Sequence, residues 1–405
     1  VSRRTAAAER FASSPLPSTD EEVWRYSRIA DLDLDAFGPV RPPPQRSVPV
    51  AVTALLDQLG PRAATVVVRN GWPVLVELAA DVADRGVRVA PVADLDDGEE
   101  VLGAVATDPA DVFGLANDAF APSPIVLDVP RGVVVTDPVV VVDWIDEADA
   151  AVFDRLVVRT GDDAEVRVLE WHGSDDVVAL AAPVTELDAA SSSRLHHLLV
   201  QDRAASVTQI ANVASRAGRD ATLVSSQAGL GGDYARVRAD CRLVGRGATG
   251  ELAAVYFGVG SQTLDFRTFQ EHVAPDTTSN LLFKGAVGGH SRSVYTGLIK
   301  VDKAARGTNA FQTNRNLKLS DHAWAESVPN LEIENNDVRC SHASTVGPID
   351  EDQRFYLESR GVPPEVAERL VVAGFFEEVL AGLPVPGAVP LLRSRIAERL
   401  AQEED

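Results

Sequence analysis

Between residues 123 and 320, ten short β-rich runs follow one another with almost no helical periodicity between them. They read IVLDV, GVVVTDPVVVV, RLVVRT, EVRVLEW, ATLVSS, YARVRADCRLV, ELAAVYFGV, NLLFKGAV, SVYTGLIKV and NLKLS. Many strands without helical crossovers mean a sandwich, a barrel or a β-solenoid. The runs recur at about 12–17 residues, too irregularly for a strict repeat motif. Within YARVRADCRLV, the residues Ala235, Val237, Ala239, Cys241 and Leu243 share one strand face and the charged residues take the other. One buried face per strand suits a stacked solenoid, but the pattern does not select it over a sandwich. Arg236, Arg238 and Arg242, interrupted by Asp240, read as a solvated strand face.

The flanks have a different texture. Residues 1–122 read as a mixed, mainly helical region. A helix is expected from Ser18 or Asp20 as cap, with Val23, Trp24 and Tyr26 as its sticky side. The segment 39–49 is a stiff proline-rich linker, and residues 64–92 alternate strand, an Asn70-Gly71 turn and helix. Asp108 is expected to cap a helix running to about Phe120. Residues 348–405 return to helix: Asp350 with Gln353 forms a capping-box-like start, and Gly361 a stop. Val366, Leu370, Ala373, Phe376 and Leu380 carry helical spacing, and a last amphipathic helix ends in Glu-Glu-Asp.

Charge and cysteine usage narrow the function. A net charge of −22 makes nucleic acid a poor partner, because such binding rests on neutralising phosphates. No apolar run of membrane-spanning length occurs, and VSRRTAAAERFASSPLPSTDEE lacks the apolar region of a secretory signal. Two cysteines in 405 residues argue against a disulfide framework and fit a reducing cytoplasm. The chain contains no methionine, which excludes thioether ligands; nothing in the sequence explains that absence.

Against that background Cys340-Ser341-His342 stands out, in a chain with two cysteines and seven histidines. On an extended backbone the thiol and the imidazole share one face, together with Val338 and Ser344. Thiolate plus imidazole suits iron or zinc, and both must be deprotonated to bind. Two ligands make half a metal site, since zinc and iron–sulfur centres take about four. Other motifs carry less. Gly245-Arg-Gly-Ala-Thr-Gly250 fits the dinucleotide fingerprint, but a strand follows where the fingerprint needs a helix, so a turn is expected. Without a Gly-Lys pair there is no P-loop, so this chain is not expected to bind or hydrolyse ATP. His196, His197 and His290 read as surface or turn histidines, and Cys241 as a core residue.

The run NAFQTNRNLKLSDHAWAESVPNLEIENNDVRCSHASTVGPIDEDQRFYLESRG closely resembles the SufB/SufD family, scaffold subunits of bacterial iron–sulfur cluster assembly. HVAPDTTSNLLFKGAV (272–287), GFFEEVL (374–380) and EEVWRYS (21–27) extend the resemblance, which is dense over about 262–382 and thin before. It is most like SufD, because SufB-type chains are longer and carry additional cysteines. The resemblance implies a mainly β fold: a right-handed parallel β-helix over 123–347, between an N-terminal helical (α/β) region at 1–122 and a C-terminal helical domain at 348–405. It implies a non-enzymatic scaffold in which Cys340 and His342 contribute to a transient iron–sulfur cluster or iron site at the interface with a SufB-like subunit. It also implies that the C-terminal helices dock a SufC-like ABC ATPase; Leu370, Phe375 and Phe376 are the expected contacts. Phe375 and Phe376 lie about 100° apart on a helix, so one belongs to the core.

Two other readings stay open at this level: a polysaccharide-active β-helix enzyme, which would need paired carboxylates or calcium-binding aspartates on one face, and a self-paired structural protein with an inert Cys340. The isolated chain could also pair with a second copy as a homodimer, bringing two Cys340 and two His342 together across a twofold axis.

Overall fold

A computed structural model describes residues 2–43 and 46–402. Residues 44 and 45 of the proline-rich segment and the terminal Glu-Glu-Asp lie outside the described residues.

The β-rich runs stack as a solenoid. From Val184 to Gly347 successive strands fall alternately into two sheets, and every ladder among them is parallel, pairing each strand with the equivalent strand one coil away. Tyr234 pairs with Thr263 and Thr263 with Arg292, so one coil takes about 29 residues here. Two strands per coil explain why the individual runs recur at roughly half that distance. Ala235, Val237, Ala239, Cys241 and Leu243 all point into the lumen and are buried, as the alternation requires.

One corner recurs in coil after coil. Asp163, Ser192, Asp220, Gly247, Asp276 and Gly307 all have positive φ, between 55° and 74°. Each donates its backbone N–H to the next coil: Asp220 to Arg246 O, Gly247 to Pro275 O, Asp276 to Arg306 O and Gly307 to Asp337 O. Only glycine and short polar side chains take this left-handed conformation cheaply, which is why those residue types occupy it.

The outer sheet faces are covered too. Leu198, Val200, Val255 and Phe257 of one sheet pack beneath the helices Val50–Leu59, Pro364–Leu380 and Val389–Gln402, through Leu55, Phe376, Leu392 and Ile396. Under these helices the sheet is buried on both faces, so Ala254–Gly258 and Phe283–Val287 are continuous buried runs, while the outer-face residues before them, Glu251 and Asn280, are not. Asn70-Gly71 turns a hairpin whose strand Ala64–Arg69 joins the same sheet beside Val139–Ile145. None of the helices among the described residues is long and apolar enough to cross a membrane.

The N-terminal region departs from the sequence reading. The expected helix after Ser18 is a single 3-10 turn, Glu22–Trp24; the α-helix lies earlier, at Arg3–Ser13, capped by Ser2. Tertiary contact overrides local propensity there: Trp24 is 3% exposed and lies 3.9 Å beneath the Arg236 guanidinium. Arg236 is therefore buried rather than solvated, paired with Asp265 at 2.6 Å and donating to Val23 O. The helix ending at Phe120 starts at Val112, with Asp111 rather than Asp108 as its cap, accepting from Phe113 N and Gly114 N.

The corner predicts its own tolerance. Gly307→Val forces a branched side chain into φ 72° and puts a Cβ 2.5 Å from Asp276 Oδ1. It should destabilise by roughly 1–3 kcal/mol, read as a lower thermal midpoint by circular dichroism. Asp220→Gly, at an equivalent corner, should leave that midpoint nearly unchanged.

Candidate functional site

Cys340 and His342 lie on the last strand of the solenoid, Val338–Gly347, which among the described residues is paired only with Thr308–Lys318. Register places Cys340 beside Ala310 and His342 beside Gln312, both fully buried, so the column faces the lumen. At this last coil the lumen opens outward. Cys340 is half-buried against Ile299, Val301, Ala305 and Ala310, while His342 is exposed. The thiol and imidazole thus project together from the mouth of the solenoid, as their alternation required.

Burial pushes the Cys340 thiol above its ordinary value, partly offset by a hydrogen bond from the Ala310 backbone. Coordination must therefore displace a proton from sulfur. Cys241 is deep in the lumen, pushed up to about 12 by burial, and is a core residue as expected. Both cysteines are free. Among the described residues, no group of three or more His, Cys, Asp or Glu side chains is placed to hold a metal ion.

Beneath His342 sits a residue that the sequence reading missed. Gln312 is fully buried, yet neither of its amide atoms finds a hydrogen-bond partner among the described residues. The unpartnered hydroxyl of Ser327 belongs to the facing terminal strand, next to Tyr295. Buried polar groups are rarely left unpaired, so this end of the lumen is polar and under-satisfied. No motif marks Gln312; its signal is the register, one coil before His342.

The solenoid ends without a cap among the described residues. Trp324–Ile333 is the last strand of one sheet and Val338–Gly347 of the other, so both sheets present free edges on the same side. Leu331, Ile333 and Val346 continue lumen-facing columns, yet are 38%, 40% and 39% exposed. Long exposed edges with apolar neighbours invite pairing with another chain.

The C-terminal helices divide the expected contact residues. Leu370 is 52% exposed and, with Tyr356, Leu357, Val371 and Phe375, lines an apolar groove between Glu351–Glu358 and Pro364–Leu380. Phe375 is half-buried under the Lys284 ammonium at 4.7 Å, and Lys284 also donates to its carbonyl. Phe376, expected at a partner surface, is instead fully buried against Phe257 and cannot reach a partner.

The histidines also separate. His290 stacks on His322 at 4.8 Å on exposed turns, in line with its reading as a turn residue. His197 does not: it is fully buried, with Nε2 2.8 Å from Glu170, whose other oxygen meets His172 at 2.9 Å. Burial alone would raise the Glu170 pKa, but these two contacts outweigh it and hold the carboxyl well below its usual range. The strand alternation that buries His197 also buries Leu195 and Leu199.

Residues 144–375 match the family described as "SUF system FeS cluster assembly, SufBD core domain". A SufBD-family iron–sulfur cluster assembly protein of Mycobacterium tuberculosis is 37% identical over 282 residues, 68% of this chain and 67% of the relative. The iron–sulfur cluster assembly protein SufD of Bacillus subtilis is 28% identical over 413 residues, 98% of this chain and 93% of its own. SufD of Escherichia coli is 31% identical over 238 residues, covering 58% and 56%.

The two thiols should be distinguishable in solution. Iodoacetamide should label Cys340 in the native protein, at a rate still rising above the pH where an ordinary thiol levels off, because its raised pKa delays the thiolate. Cys241 should stay unlabelled until the chain unfolds; peptide mass spectrometry across a pH series checks both.

Proposed function

The chain belongs to the SufBD family of the SUF iron–sulfur cluster assembly system, and from that premise we propose that it is a SufD-like, non-enzymatic scaffold subunit completing a cluster site with a SufB-like partner. One observation carries the reading: Cys340 and His342 stand at the open mouth of a solenoid whose two sheets both end in free edges there. A thiolate and an imidazole hold half of an iron centre, and the remaining ligands come from the chain that covers the mouth. The cargo is an iron–sulfur cluster or iron, held transiently. Gln312, unpartnered below His342, supplies an amide to orient the ring or the cargo.

The shape of the mouth limits what can cover it. An occupant that satisfies both free edges must itself present two sheet edges about 10 Å apart. The end of a second two-sheeted solenoid does so, which supports a subunit of the same family over an unrelated protein. A second copy of this chain would bring two Cys340–His342 pairs together across a twofold axis, and is the competing occupant. The apolar groove at Leu370 and Phe375, on the outer helices, is the proposed seat of a SufC-like ATPase.

His342→Ala should lower iron and acid-labile sulfide in the anaerobically purified complex to background. Because His342 is exposed, the complex should elute as before. Unchanged iron and sulfide would remove the residue from the mechanism. Leu331→Glu, which puts a charge on the uncapped end, should abolish association with the SufB-like subunit while the chain stays folded. For the groove, Leu370→Glu should weaken ATPase pull-down by at least about tenfold without changing the thermal midpoint.

A further inference from the structure

The segment Glu21–Asp31 does not simply cross the solenoid; it runs out along one sheet and returns. Outbound, Val23 O accepts from Arg236 on Tyr234–Leu243, and Arg25 O accepts from Arg267 on the next strand, Thr263–His272, at 2.7 and 2.6 Å. Tyr26 then reaches Trp324 on Trp324–Ile333, with ring centroids 5.6 Å apart. On the return, Arg28 pairs with Asp233 at 2.9 Å and Ile29 is buried beside Tyr234. The segment is a finger whose tip lies on the free edge strand.

The tip is held against conformational preference. Tyr26 has φ 66°, a left-handed conformation that a bulky aromatic residue seldom adopts. Arg236 and Arg267, both buried and both bonded to Asp265, fix the carbonyls leading into it. The ring so positioned is not buried: Tyr26 is 46% exposed, and Trp324 beneath it is half-buried. A strained, exposed aromatic pair at the rim of an uncapped sheet is the composition and placement of a binding anchor rather than of a core contact.

We infer that Tyr26 and Trp324 form an anchor for the partner solenoid that covers the mouth, so that the N-terminal finger takes part in subunit docking. This rests on the end-to-end reading proposed above. The partner strand that pairs with Trp324–Ile333 brings its outer-face side chains level with Trp324, and the Tyr26 ring closes over the first of them.

The test measures the dissociation constant of the full chain for the SufB-like subunit by biolayer interferometry. Tyr26→Asn keeps a residue that tolerates the left-handed turn and removes the ring; it should raise the constant at least about tenfold with an unchanged or higher thermal midpoint. Trp324→Ala should weaken binding similarly, and Tyr26→Phe should bind within about twofold of the parent. Parent-like affinity of Tyr26→Asn, with Leu331→Glu failing to bind, overturns the anchor and leaves the end-to-end reading standing. Parent-like affinity of Leu331→Glu overturns both.

Discussion

Coil after coil, from Asp163 to Gly307, this solenoid turns through a corner at which one residue takes the left-handed backbone conformation and passes its N–H to the coil above. The stacking of parallel strands, the continuity of the lumen and the alignment of side chains into columns all follow from repeating that turn at the same place. Because each corner is stabilised locally, the residues between corners are free to vary so long as inward positions stay apolar or find polar partners in the lumen. Columns are what give the sequence its functional order: Ala310 lies beneath Cys340 and Gln312 beneath His342 only because the corners hold the register.

A stack of identical-looking coils has no intrinsic reason to stop, so how it ends is informative. Here the last two strands carry free edges, apolar lumen-facing side chains remain partly exposed, and the thiol and imidazole stand among them. Elsewhere the protein covers parts of its sheets, with helices on one outer face and the N-terminal finger over Tyr234, Arg236 and Arg267 on the other. The contrast between a well-covered flank and an uncovered end directs attention to the end.

Local patterns were the most readable part of the chain. Alternation assigned the lumen face of Tyr234–Leu243 correctly, and Asp350 caps its helix by accepting from Asp352 N and Gln353 N, as its spacing implies. The Gly245–Gly250 stretch is a turn followed by a strand, for the reason the sequence offers. What could not be read depends on distant partners. Arg236 looks solvated until Trp24, more than two hundred residues earlier, covers it. His197 looks like a surface histidine until Glu170, itself held by His172, meets it from the preceding coil. Half of the candidate site was legible because Cys340 and His342 are two residues apart; Gln312 was not, because its adjacency spans a whole coil.

The repeated corner also bears on how such a protein can change in length. A duplication or loss of one complete turn of the stack, about 29 residues, keeps every column in phase and leaves both extremities with their own chemistry. An insertion of an odd number of residues inside a strand would instead flip the side chains beyond it between lumen and exterior. Divergence in this architecture is therefore quantised: relatives can differ by whole storeys while the top floor, with its sulfur and its ring nitrogen, is carried along intact.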